Sequence, residues 1–396
     1  MRAAGLLLRT RTQAVQGRDK AAWMATVDDP ASPFGRRQSL MFDNLMRLPD
    51  EGFRYDAPAP GPALSAARAR ASGPGAWVGQ TQGHYALTGF DRAPRTFAVA
   101  FTFVLRPAGW RIAADSDGLT TRQVWDLPGL RAVRGRTSLV LGNDSPAHMA
   151  GYRDQADAAV PRVTAVWGPA WSTHVVLLTP ATVAQFAALL GRRGDQGLDQ
   201  VAAVTVGSTV SGTRAGGDRI VINPTTFGTL QPDGRRVVIS HELTHVAVRS
   251  STTRPAPLWL SEGMADYVGY LGLRLPRSRV AAPWLAKVRA GTAPRRLPSD
   301  ADFDPARTHI APAYAAAWLA CSRLADRYGQ ARLVAFYRAV AGAGPQAGSV
   351  PGAAAARSGT PSPAAAADLA FGSVLGTTEQ AFVSSWSSYA ARLARS

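Results

Sequence analysis

The stretch "RRVVISHELTHVAVRS", Arg235 to Ser250, constrains this chain more than any other. It sets two histidines four positions apart, with a glutamate after the first, among apolar residues. On a helix, residues four apart share a face, so His241 and His245 can offer ring nitrogens to one ion. The letters involved are scarce. The chain has six His, and its four Glu are Glu51, Glu242, Glu262 and Glu379. Two of those four fall in or just after this stretch. A catalytic zinc takes three protein ligands and leaves a position for water. Glu242, beside the first ligand, can reach that water as general base, and the metal lowers the water's pKa to about 7. The third ligand has to arrive from elsewhere. Sixteen residues separate His245 from Glu262 in "PLWLSEGMADYVGY". Pro255 and Pro257 force a turn, so a second helix over 261–272 can fold back antiparallel and complete a His, His, Glu site for one zinc per chain. Asp266, one turn further on, can accept a hydrogen bond from the far nitrogen of a ligand histidine. Gly263 and Ala265 are small, as close packing of two helices around an ion favours. Ser261 lacks the frame of a nucleophile and reads as the N-cap of the second helix.

The surroundings read as α+β. Residues 2–27 have the spacing of one long helix, and "RRQSLMFDNLMRLP" that of a shorter one closed at Pro49. "HYALTGF", "TFAVAFTFVL" and "GWRIAAD" alternate as strands, with "DRAPR" as a hairpin turn. "DSDGLTTRQVWDLPGLRAV" reads as a connection. "TSLVLGN", "HVVLLTP", "VAAVTVGS" and "GDRIVINP" are short strands, and "TVAQFAALLG" is a helix ended by Gly191. Helices are expected over 313–328, 331–340 and 377–393. The resulting division is an α+β domain over 1–117, a linker over 118–135 and a second domain over 136–396. Within the second, 341–368 is a low-complexity Ala, Gly, Pro and Ser stretch expected to be a flexible insertion.

Composition narrows the partners. The 396 residues are 46% hydrophobic and 18% charged, enough to bury real cores. The formal charge is +17, yet only Lys20 and Lys287 are lysines. Abundant Ala, Gly, Pro and Arg share GC-rich codons, which accounts for the arginines without an anionic partner. The arginines are scattered, and no basic-aromatic motif accompanies them, so no nucleic-acid partner is expected. The single cysteine, Cys321, excludes an internal disulfide and reads as a core residue. There is no apolar run of membrane-spanning length, and the apolar part of "MRAAGLLLRTRTQ" is too short for a signal peptide. Membrane association is expected only through a segment outside this sequence.

H-E-x-x-H followed by W-L-S-E-G-x-A-x-Y, Trp259 to Tyr267, resembles the gluzincin metallopeptidases, most closely the peptidase MA family. The likeness covers about 125–396. It implies that His241, His245 and Glu262 hold zinc, that Glu242 is the base and that the substrate is a peptide or protein. It further implies that "DRIVINP" is the edge strand holding substrate backbone. "YAAAWLACSRLADRYG" and "FGSVLGTTEQAFVSSWSSYAARL" are similar to the family's helical part. Gluzincins usually carry a Tyr or His that donates to the oxyanion; Tyr314 is the candidate, with His309 as the alternative. The family likeness points to an extracytoplasmic or envelope setting. The helix, curved sheet and "GWRI" of residues 1–117 resemble the nuclear-transport-factor-like (cystatin-like) fold. That likeness opens a second reading, in which a pocket in the first domain binds a ligand and the zinc site is structural or vestigial.

Overall fold

The computed structural model describes residues 1–207, 216–306, 309–342 and 361–395. The chain is α+β, as its patterning predicts. The opening helical stretch is two helices rather than one. α1 (Arg2–Gln16) stops at Gly17, and α2 (Lys20–Met24) begins after Asp19, whose carboxylate accepts from the Ala22 N–H. Arg18 between them sits at φ +55, a left-handed conformation no helix continues through. α3 (Pro33–Leu45) follows, capped by Ser32.

The first sheet is antiparallel and curled. Its strands are β1 (Asp50–Tyr55), β2 (Ala59–Pro60), β3 (Trp77–Leu87), β4 (Arg95–Arg106) and β5 (Gly109–Ala114), with α4 (Ala66–Ser72) between β2 and β3. The order is β1-β3-β4-β5, with β2 also on β3. β1 escapes a sequence reading because "DEGFRY" buries only Phe53 and Tyr55. The inner face of the sheet carries Phe53, Tyr55, Phe97 and Phe101, and Trp23 and Phe42 close over them from the helices. Residues 118–135, read as a linker, take part in this packing. Trp125 is 1% exposed, its ring 4.7 Å from Tyr85 and 5.2 Å from Phe97. The Asn44 amide donates to the Trp125 and Leu127 carbonyls at 2.9 and 2.8 Å. Residues Arg131–Arg134 are already a strand, β6, of the next sheet.

That second sheet runs β6-β7-β8-β10-β9, with β7 (Ser138–Gly142), β8 (Val175–Thr179), β9 (Ala203–Val206) and β10 (Arg219–Ile222). β7, β8 and β10 are parallel; β6 and β9 run antiparallel at the two edges. "DRIVINP" is therefore an interior strand, and the edge is β9, from "VAAVTVGS". The register puts β10 between two partners, so its backbone groups are spent on neighbours. The inner strands are buried on both faces, which is why they read as apolar runs. Leu139, Leu141, Val176, Leu178 and Val221 face the core of the first sheet. Val140, Val175, Leu177, Ile220 and Ile222 face the helical side.

Between β7 and β8 lies α5 (Pro146–Trp167), a 22-residue helix that the sequence reading passes over. It is short on contrast between faces and carries Pro161 inside. α6 (Val183–Leu189) and α7 (Pro224–Gly228) flank the sheet. The helical side then builds from α8 (Pro232–Arg249), α9 (Leu258–Tyr270), α10 (Arg277–Val280), α11 (Ala282–Arg289), α12 (Ala311–Tyr328), α13 (Gln330–Ala341), α14 (Pro363–Leu375) and α15 (Glu379–Leu393). Of the expected insertion over 341–368, residues 343–360 lie outside the described residues. Residues 363–368 are not part of a flexible stretch: they open α14, whose Ala366, Ala367 and Phe371 are buried. Cys321 is fully buried on α12, as a core residue should be, and burial pushes its thiol well above the ordinary range. Among the described residues, no helix is long and apolar enough to cross a membrane.

The two sheets are joined by a polar clamp as well as by shared core. Asp91, at the turn between β3 and β4, binds the Arg219 guanidinium through two hydrogen bonds of 2.6 Å. Both side chains are buried, at 3% and 0% exposure. The Arg92 N–H donates to the Gly216 carbonyl at 2.8 Å, and the Arg95 guanidinium to that of Gly217.

Candidate metal centre

α8 starts with proline in its first turn, where a missing N–H costs nothing, and ends on Arg249, favourable at a helix C-terminus. Its buried face carries Ile239, Leu243, Val246 and Ala247. That packing turns His241 and His245 away from the core and towards α9. α9 begins at Leu258, a turn earlier than expected. Ser261 is thus inside the helix and not its N-cap. The cap is Pro257, and the Asp300 carboxylate satisfies the Leu258 N–H at 2.9 Å. Gly263 faces α12 instead of the histidine helix. A Cβ there would lie 2.5 Å from the Ala317 carbonyl oxygen. The close approach of α8 and α9 occurs at Gly269, where a Cβ would meet the Val237 carbonyl at 3.0 Å.

The structure brings the sequence-predicted residues together. His241 Nε2 and His245 Nε2 are 3.1 Å apart. Glu262 Oε2 is 3.2 Å from the first and 3.4 Å from the second. The three atoms form a nearly equilateral triangle, with the side chains 12–15% exposed. Asp266 Oδ1 lies 2.8 Å from His241 Nδ1. A carboxylate there fixes the proton on Nδ1, so the Nε2 lone pair points into the triangle. This group is of a kind that can hold a metal ion. These groups also set one another's charge. Burial lifts the Glu262 carboxyl, but His245 and His241 more than offset it and hold it below the usual carboxylate range. Burial also disfavours a charged His241, and Asp266 and Glu262 outweigh that, raising it well above the ordinary imidazole value.

Glu242 is 6% exposed and points to the same cleft. Thr205 on β9 donates its hydroxyl proton to Glu242 Oε2 at 2.6 Å. Nothing in the sequence pairs these residues, which are 37 positions apart. Strand alternation at "AVTV" is the only hint, since it sets Thr205 apart from Val204 and Val206. Tyr314, near the start of α12, stands beside this group, its ring centroid 6.2 Å from that of His241. Burial, then the charges of Glu262, Asp266 and Glu242, push its phenol well above the ordinary range, so it keeps its proton. His309 stands apart from the triangle. It lines the cleft with Nδ1 at 3.2 Å from Gln200 Oε1.

Two solvent-open cavities, about 680 and 420 Å³, meet at this group. They share Val201, Ala203, His241, Glu242, Ile310 and Tyr314. The first extends past Val237, Asp266 and Tyr270, and the second past Thr205, Ser261 and Phe303. The result is a cleft running along β9 on both sides of the His–Glu cluster.

No protein-family model matches the chain, and no curated protein matches it. Among solved structures, a mutant two-domain M1 zinc metallopeptidase bound to L-arginine aligns at 14% identity with a TM-score of 0.36. The alignment covers 79% of this chain and 61% of that one, so the chain spans about three fifths of that protein's length. A similarity at that level assigns neither a family nor an activity to the chain.

Proposed function

We propose that this protein is a zinc-dependent peptidase. The observation that carries the reading is the triangle of His241 Nε2, His245 Nε2 and Glu262 Oε2, with sides of 3.1–3.4 Å. A tetrahedral zinc with bonds of about 2.0–2.1 Å needs its ligand atoms about 3.3–3.4 Å apart. Two neutral nitrogens and a carboxylate are also a donor set that zinc prefers. Zinc held there supplies a Lewis acid and makes water acidic enough to attack at neutral pH. The chain's own residues do the rest. Asp266 keeps His241 in the tautomer that offers Nε2. Glu242 takes a proton from the attacking water and passes it to the amine as the C–N bond breaks. Tyr314, still protonated, is placed to donate to the oxygen on which charge develops. The cleft beside an edge strand suits an extended peptide.

The alternative needs room in the first domain. There Trp23, Phe53, Tyr55, Phe97, Phe101 and Trp125 pack against one another within the sheet, where a ligand would sit. The first domain does hold a cavity of about 290 Å³, lined by Val15, Leu45, Met46, Asp50 and Phe53, so the His–Glu triangle, and not a lack of room, favours the peptidase.

The test compares wild type with Glu242→Gln for zinc content and for cleavage of denatured casein. Both should hold about one zinc per chain, and only the wild type should cleave. A zinc-loaded wild type that cleaves neither casein nor a broad peptide library sinks the reading.

A further inference from the structure

Thr205 carries an inference that rests on the peptidase reading and goes beyond it. We propose that Thr205 is a positioning residue: its hydroxyl holds the base Glu242 while its main chain faces the strand edge where substrate adds. Peptide binding and placement of the base then converge on one residue.

The backbone half follows from register. β9 and β10 are antiparallel, with Ala203 opposite Ile222, Val204 opposite Val221, Thr205 opposite Ile220 and Val206 opposite Arg219. The Asn223 N–H donates to the Ala202 carbonyl at 2.9 Å, extending the ladder by one pair. In an antiparallel ladder, pairs that bond each other alternate with pairs that do not. Ala202–Asn223 is a bonded pair, so Val204–Val221 and Val206–Arg219 are bonded too. Ala203 and Thr205 therefore turn their N–H and C=O groups away from β10. Among the described residues β9 is the last strand of its sheet, so those groups lie along its outer edge. Ala203 lines both cavities, and Thr205 lines the 420 Å³ one. An extended peptide entering the cleft meets these two residues as its hydrogen-bonding partners.

The side-chain half is direct. A carboxylate only accepts, so the Thr205 hydroxyl is the donor in its 2.6 Å contact with Glu242 Oε2. The same hydroxyl lies 3.2 Å from the Glu242 carbonyl oxygen. Oε2 is thus committed, and among the described residues none hydrogen-bonds Oε1. Oε1 is the oxygen left to take the proton from water. Threonine is β-branched and stiff at χ1, so a strand held by substrate holds the hydroxyl, and with it the carboxylate.

The experiment uses Thr205→Val, which keeps the shape and removes the donor, and Thr205→Ser, which keeps the donor. Zinc content, kcat and KM are measured on an internally quenched peptide blocked at both ends. The Val variant should keep its zinc and a KM within about twofold, with kcat down about 10- to 100-fold, the scale of a misplaced catalytic group. The Ser variant should recover to within about threefold of wild type. Wild-type kcat in Thr205→Val overturns the proposal. So does an equal loss in both variants, which would assign the effect to side-chain shape, or a rise in KM alone. Melting temperatures supply a readout independent of activity. Thr205→Val should lower the melting temperature when Glu242 is present and leave it unchanged in a Glu242→Ala background; equal drops in both backgrounds overturn the proposal. If the wild type holds zinc and cleaves nothing, the peptidase reading fails, while the melting comparison still decides whether Thr205 holds Glu242.

Discussion

Two buried charge clusters in this molecule look alike in composition and differ in design. In the clamp between the sheets, Arg219 meets Asp91 donor to acceptor with two parallel bonds, and backbone groups add to both: Arg219 also donates to the Gly217 and Asp218 carbonyls, and Asp91 also accepts from the Leu87 N–H. In the second cluster, the ligand atoms of His241, His245 and Glu262 turn towards one another, and Asp266 meets the far side of the His241 ring. Protein partners complete the first cluster; the second is of a kind that can hold a metal ion. Burial and opposite charge are common to both, so they do not mark function. Convergence of lone pairs does.

The contrast can be tested by breaking each cluster in turn. The largest effect is expected from Glu242→Gln, which removes the base without touching the triangle. It should cut kcat about 10²- to 10⁴-fold with the melting curve little changed. Arg219→Ala should do the reverse and destabilise the fold by about 3–5 kcal/mol, because it strands the Asp91 carboxylate in the interior. Chemical denaturation measures that. Replacing Asp91 and Arg219 together by leucine should cost far less than either single change, and a double variant as unstable as the singles would break the distinction drawn here. Asp266→Asn should weaken zinc binding about 10- to 100-fold, measured by competition with a chelating dye, with little loss of stability in the metal-free protein. The smallest effect is expected at Arg296–Asp302, a pair 2.8 Å apart with side chains 51% and 39% exposed. Arg296→Ala should cost less than about 1 kcal/mol and disappear in high salt.

Local rules explain what could be read from sequence. The positions of His241, His245 and Glu242 follow from helical spacing, and Glu262 and Asp266 follow from a turn and the same periodicity on α9. Thr205 was out of reach because its bond to Glu242 depends on β9 lying beside α8, a matter of tertiary placement. The edge strand went to the wrong segment for a related reason. "DRIVINP" and "VAAVTVGS" have equally plausible strand patterns, and only the pairing order decides which one is exposed. α5 was invisible because its Ala and Val residues give little contrast between faces and Pro161 argues against a helix. Residues 118–135 carry the polar and glycine-rich signature of a connection. Trp125 overrides it by filling the interior of the first sheet.

The clamp at Asp91 also bears on modularity. The hairpin between β3 and β4 grips the root of β10, the strand on which β9 is registered, and the first core packs on Leu139, Leu141, Val176, Leu178 and Val221 of the second sheet. The two halves are therefore not interchangeable cassettes. A chain begun near residue 118 would leave the Arg219 guanidinium without a counter-charge and Leu139, Leu141, Val176 and Leu178 bare. Any recombinant that exchanges the first half has to supply an acid at the tip of that hairpin, or another residue at position 219, before the cleft on the far side of the sheet can be expected to form.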